Sequence, residues 1–121
     1  MTQVELKKRF FDWSVQTVFF LRKLPDAQEY RVVNYQLSKS SSSSAANYRA
    51  VCRGKSRPDF LNKLRIVEEE LDESLFWLEY INAISSEKFI EDTKPLLKEG
   101  DELLSIIVAS IKTVVSSNKN R

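Results

Sequence analysis

Four cations and a tyrosine in the second quarter of the chain have the types and spacing to grip a polyanion. Placed on a helix at 100° per residue, Arg31, Lys39, Arg49 and Arg53 fall within about 80° of one another, and Tyr35 shares their side. Lys55 and Arg57 carry the set into the next loop, and Lys63 and Arg65 stand close enough in sequence to join it. Cationic side chains neutralise phosphates, and an aromatic ring among them can stack on an unpaired base. A solvated outer helix face has the same composition, so residue types leave that reading open too. The wider charge pattern is lopsided. Residues 1–65 hold 13 Lys/Arg and 5 Asp/Glu, whereas residues 66–121 hold 6 and 12, within a net charge of +2. That is either a basic face for a polyanion or mutual neutralisation between neighbouring helices.

Most catalytic chemistry lacks its parts. The chain has no histidine, one cysteine and two separated glycines. A Ser/His/Asp or Cys/His constellation, a zinc site and a glycine-rich phosphate loop are thereby excluded. Carboxylates are plentiful at Glu68-Glu69-Glu70 and Asp72-Glu73. Carboxylate-bridged metal pairs in bundles ordinarily add Glu-x-x-His, so a solvated acidic face is the expectation, with Asp72 or Glu73 able to take a structural partner such as Tyr48. No metal, cofactor or enzymatic activity is expected. Cys52 falls on an apolar stripe and reads as a packed thiol.

The elements that must position these residues are helices. Three prolines and two glycines in 121 residues are too few for a turn-rich β fold. Punctuation predicts four helices, at about 2–23, 27–53, 57–84 and 86–117. Leu24-Pro25 stops the first, and Asp26 with Glu29 reads as a capping box for the second. Gly54 suits a left-handed helix stop, and Ser56-Arg57-Pro58-Asp59 suits a helix start. Ser85 or Ser86 is placed to cap the fourth helix, which Pro95 should kink or split. The serine tract 40–44 reads as continuous helix, because Tyr30, Val33, Leu37, Ser41, Ser44, Tyr48, Val51 and Cys52 share one stripe. Small residues in mid-stripe would let a neighbouring helix approach closely. Phe60, Leu64, Val67, Leu71, Leu75 and Leu78 form the stripe of the third helix. The fourth offers Leu103, Leu104, Ile107, Val108, Ile111, Val114 and Val115. Together these predict one all-α domain, residues 1–121, packed as an antiparallel up-down-up-down four-helix bundle.

Trp13, Phe20, Ile66, Trp77 and Ile81 fall off the narrow core stripes. They are expected at an interface between copies of the chain, because contiguous exposed aromatic surface marks contacts. The lone cysteine, the absence of a signal-like start and the absence of an apolar run of membrane-spanning length point to the cytoplasm, with no membrane association.

Five segments in order resemble the four-helix-bundle family named for the 23S ribosomal-RNA intervening-sequence protein. They are Leu24-Pro25 with Tyr30, Val33 and Gln36-Leu37; Ser43 to Ala50; Ser56 to Phe60 with Lys63-Leu64; Glu69 to Glu79; and Val108 to Thr113. Ala50 departs from the pattern, where similar sequences often carry an acid, as do Val114-Val115, where an arginine often follows. The resemblance implies a left-handed bundle, a homo-pentameric ring and no known enzymatic activity. Related accessory proteins of diversity-generating retroelements bind nucleic acid and a reverse transcriptase. The expected partners are therefore further copies of the chain and RNA or DNA. The alternative is a scaffold or accessory subunit for a nucleic-acid enzyme such as a reverse transcriptase.

Overall fold

A computed structural model describes residues 1–54 and 56–119. Four helices, α1 (Gln3–Leu21), α2 (Gln28–Val51), α3 (Arg57–Ile84) and α4 (Ile90–Lys119), account for nearly all of them. Among the described residues, the backbone of α1 lies close to that of α2, α2 to α3, α3 to α4 and α4 back to α1, whereas the backbones of neither diagonal pair approach one another closely. Short connections and this cyclic adjacency make an up-down-up-down four-helix bundle. The cross-links run antiparallel along each seam. Asn34 donates to the Leu21 carbonyl (3.3 Å) while the rings of Phe10 and Tyr48 stack at 4.8 Å. On the far seam, Lys23 pairs with Asp92, Trp13 bonds to Leu96 and Arg9 pairs with Glu99 and Glu102.

The helix ends follow local chemistry, not always the expected one. Thr2 makes a full capping box with Glu5. The second helix is capped by Ala27, without a side-chain bond. Asp26 instead accepts from Arg31 at 2.6 Å, which removes it from the capping role predicted for it. Gly54 does not adopt positive φ, so it is not the left-handed stop its type suggested. Ser56 does cap α3, accepting from the Asp59 amide, with Pro58 in the first turn. Ser85 and Ser86 end α3 instead of starting α4. The Glu87 amide reaches back to the Asn82 carbonyl (2.9 Å) and the Ser86 amide to Ala83, the paired bonds of a Schellman stop. Ser86 and Glu87 hold φ of 51° and 64°, a conformation usually left to glycine. The fourth helix therefore begins at Ile90, four residues later than expected, and runs through Pro95 as one helix to Lys119.

Trp13, Phe20 and Ile81 are 3%, 5% and 0% exposed, which corrects their assignment to an interface between copies. Each helix has two neighbours and buries a wider arc than one stripe. Trp13 and Phe20 face α4, and the Trp13 indole N–H donates to the Leu96 carbonyl at 3.0 Å. Phe20 meets Phe89 edge-on at 6.1 Å. Ile66 and Trp77 are half-buried on α3.

The serine tract is continuous helix. Ser40, Ser41 and Ser44 are buried, and the Ser40 hydroxyl lies 2.7 Å from that of Ser74. Ser40, Ser41, Ser42 and Ser44 also each donate to a backbone carbonyl three residues earlier, as in Ser44 to Ser41 at 2.7 Å. No buried side-chain polar atom is unpaired among the described residues, so the seam carries no unpaired-group penalty.

Gly100 lies where α1, α3 and α4 converge. A Cβ there would stand 2.7 Å from Leu75 Cδ2 and 3.3 Å from Trp13 Cζ2. We expect Gly100→Val to destabilise the fold by about 1–3 kcal/mol through overpacking, despite removing a helix-interior glycine. A thermal melt followed by circular dichroism checks this, and an unchanged or raised midpoint would show that the space is open.

Candidate nucleic-acid interface

The outer face of α2 exists because its inner arc is already occupied. Val33, Leu37, Ser41, Ser44 and Tyr48 point to the core, which turns Arg31, Tyr35, Lys39, Arg49 and Arg53 outward, all exposed. From residue 31 to 53 the stripe spans about 33 Å at 1.5 Å per residue. Arg57 is exposed at the first position of α3. Lys55 lies outside the described residues.

The structure divides this stripe into parts of different character. At its start, Arg31 and Tyr35 line a cavity of ≈ 490 Å³ with Arg22, Pro25, Asp26 and Asn34. Arg31 is held there by Asp26 at 2.6 Å. In the middle, Lys39 lies beside Glu70 of α3. Burial raises the Glu70 carboxyl above its ordinary value, Glu73 and Glu69 add to the rise, and the Lys39 charge opposes it. Two of the predicted cations therefore already face acids of their own chain.

At the far end the balance differs. Arg49 and Arg53 line a cleft of ≈ 390 Å³ with Lys63, Asp59 and the small residues Ala46 and Ala50. The Ser56 cap and Pro58 fix the first turn of α3, which sets Asp59 and Lys63 one turn apart beside the two arginines. Among the described residues, none of these three cations is locked in an ion pair. Three cations meet one carboxylate there, an arrangement suited to a phosphate or a short run of phosphates. Lys63 thus joins the face as the sequence suggested, whereas Arg65 does not line this cleft.

Asp72 and Glu73 are exposed, so neither is the buried structural partner of Tyr48. Glu73 instead accepts from the Trp77 indole N–H at 3.2 Å. Tyr48 is buried, and that burial together with the neighbouring Cys52 pushes its phenol well above the ordinary tyrosine value. Among the described residues, no cluster of three or more Cys, Asp or Glu is placed to hold a metal ion, and no helix is long and apolar enough to cross a membrane.

No family model and no curated protein sequence matches the chain. The structure is similar to the crystal structure of a protein of unknown function from the S23 ribosomal protein family of Bacteroides thetaiotaomicron VPI-5482. The two superpose with a TM-score of 0.81 at 27% identity, over 93% of this chain and 99% of that one. The likeness covers all four helices and agrees with the resemblance drawn from the five sequence segments.

The Glu70 carboxyl holds its proton more tightly in the folded chain than in the unfolded one. Its contribution is favourable below the unfolded carboxylate range and is lost as pH rises through the raised folded value. We expect Glu70→Gln to raise the thermal midpoint at neutral pH and to lose that gain in acid. A midpoint lowered at neutral pH would contradict the assignment.

Proposed function

We propose that the chain is a non-catalytic, self-associating bundle of the 23S ribosomal-RNA intervening-sequence family, and that it binds the phosphate backbone of RNA or DNA. The observation that carries the binding proposal is the cleft where Arg49, Arg53 and Lys63 converge outside any ion pair. Backbone contacts of this kind supply affinity without reading sequence. Tyr35 stands exposed on the same outer face of α2, where an unpaired base could stack on it. Five sequence segments in order and a shared fold over nearly the whole chain support the family proposal, and the resemblance supplies the pentameric ring as the expected assembly. Repetition of one shallow cationic cleft around a ring would let several weak contacts act together.

A second reading rests on a different observation. Phe76, Trp77 and Tyr80 form an aromatic cluster on α3, with Phe76 and Tyr80 exposed and ring centroids 4.9–5.9 Å apart. If that surface takes a different protein, the chain is an accessory subunit whose partner brings the nucleic acid.

Filter binding of structured RNA and single-stranded DNA across a salt series tests the first reading. Reversing charge at Arg49 and Arg53 together should weaken binding at least tenfold. It should also flatten the salt dependence, by roughly 0.7 in logarithmic slope per lost contact on a single strand. Arg31→Glu, whose partner Asp26 already neutralises it, should matter less. No binding by the wild type at low salt, or binding undiminished by the double reversal, would overturn the proposal.

A further inference from the structure

The corner where α1 gives way to α2 has the parts of a nucleobase site. α1 ends at Leu21, the chain turns through Leu24-Pro25, and α2 starts at Gln28. The turn leaves a cavity of ≈ 490 Å³, within the range of roughly 300–1,000 Å³ typical of small-ligand sites. Leu21, Leu24 and Pro25 supply apolar lining, and Tyr35, 63% exposed, supplies a ring face. Asn34 supplies a polar edge. Its Nδ2 donates to the Leu21 carbonyl at 3.3 Å, and a carbonyl only accepts, so the orientation of the amide is fixed. That bond uses one of the two N–H groups and leaves the other beside the side-chain oxygen.

The Watson–Crick edge of every base sets a donor beside an acceptor, and a side-chain amide answers it with one acceptor and one donor. In a duplex that edge is already engaged. Only an unpaired base can offer it with a face free to lie on a tyrosine. Arg22 lines the same cavity, is exposed, and lies over the Phe19 ring at 5.3 Å. Among the described residues it is held in no ion pair, whereas Arg31 is paired with Asp26. We infer that this corner pocket takes one unpaired nucleobase of a single strand. Tyr35 stacks on its face, the Asn34 amide pairs with its edge, and Arg22 meets its phosphate.

This deepens the nucleic-acid binding proposed above, rests on it, and names the form of nucleic acid. Tyr35 and Arg49 stand about 21 Å apart along α2 at 1.5 Å per residue, and at 100° per residue Tyr35 points the same way as Arg53. One strand laid along the outer face of α2 therefore reaches both sites. Its base enters the corner pocket, and phosphates a few nucleotides further on enter the cleft of Arg49, Arg53 and Lys63. That span fits single-strand site sizes of roughly 4–16 nucleotides. The cleft by itself accepts either form, and the pocket accepts only unpaired bases. All four bases meet the pattern of the amide, so the selection is for single strands and not for sequence.

Filter binding at one salt concentration compares three probes with equal numbers of phosphates. They are a single strand of about 12 uridines, a hairpin duplex and a strand of abasic sites. The uridine strand should bind at least tenfold more tightly than the other two. Tyr35→Ala should remove most of that advantage, since loss of one base stack weakens binding roughly 5- to 150-fold, and should leave duplex binding unchanged. Asn34→Leu should also weaken single-strand binding. Its amide ties α1 to α2 as well, so the exposed Tyr35 keeps the test independent of folding. Uridine monophosphate should compete only at far higher concentration than the strand; competition at equal concentration would give the pocket to a free nucleotide and overturn the strand. Equal binding of the three probes, or an advantage that survives Tyr35→Ala, would overturn the base pocket while leaving the phosphate cleft standing. No binding of any probe at low salt would overturn both.

Discussion

The closure of the bundle depends on one indole placed against one missing side chain. The first and last helices share the least extensive of the four contacts, and Trp13 fills it. Its ring lies over Gly100, where a Cβ would intrude, and its N–H is satisfied by the Leu96 carbonyl. A buried indole contributes both its large apolar area and a paired donor. The ion pairs of Arg9 with Glu99 and Glu102, and of Lys23 with Asp92, flank that contact near the surface. Such pairs contribute little, on the order of 0–1 kcal/mol each. Burial of Trp13 and Phe20 is therefore what holds α1 against α4.

The opposite seam uses a different device. Ser40, Ser41 and Ser44 give α2 a narrow inner edge, and Ser74 meets it from α3. Small side chains let the two helices approach closely, and hydroxyl-to-carbonyl bonds remove the cost of burying them. This close approach also builds the candidate site. It carries the start of α3 up to the end of α2, where Lys63 meets Arg49 and Arg53. Core packing and the cationic cleft are in that sense one arrangement.

The four helices were legible because each long segment repeats its apolar residues at the helical period and ends at a proline or a small polar cap. The serine tract was legible for the same reason, since its neighbours kept the stripe in register. What the chain hid were features set by contact. Asp26 looks like a cap, but the turn brings it to Arg31. Ser85 and Ser86 look like a start, but the left-handed stop that they form with Glu87 needs no glycine here. Trp13, Phe20 and Ile81 look surplus on a one-stripe helix and are required on a helix with two neighbours. In the site, the outward stripe of α2 could be read from spacing. That Arg31 is paired with Asp26 and Lys39 lies beside Glu70, while Arg49, Arg53 and Lys63 meet the single carboxylate of Asp59, follows from interhelical register and from a turn, which periodicity does not report.

The placement of Trp13 inside its own bundle, and not between copies, is the claim on which these arguments turn. Fluorescence of a Trp77→Phe variant reports on Trp13 alone. The account predicts a blue-shifted emission, poorly quenched by acrylamide and unchanged as the protein is diluted from its assembled state to monomer. An emission that shifts to longer wavelength and opens to quencher on dilution would place that indole at a contact between molecules and contradict the account.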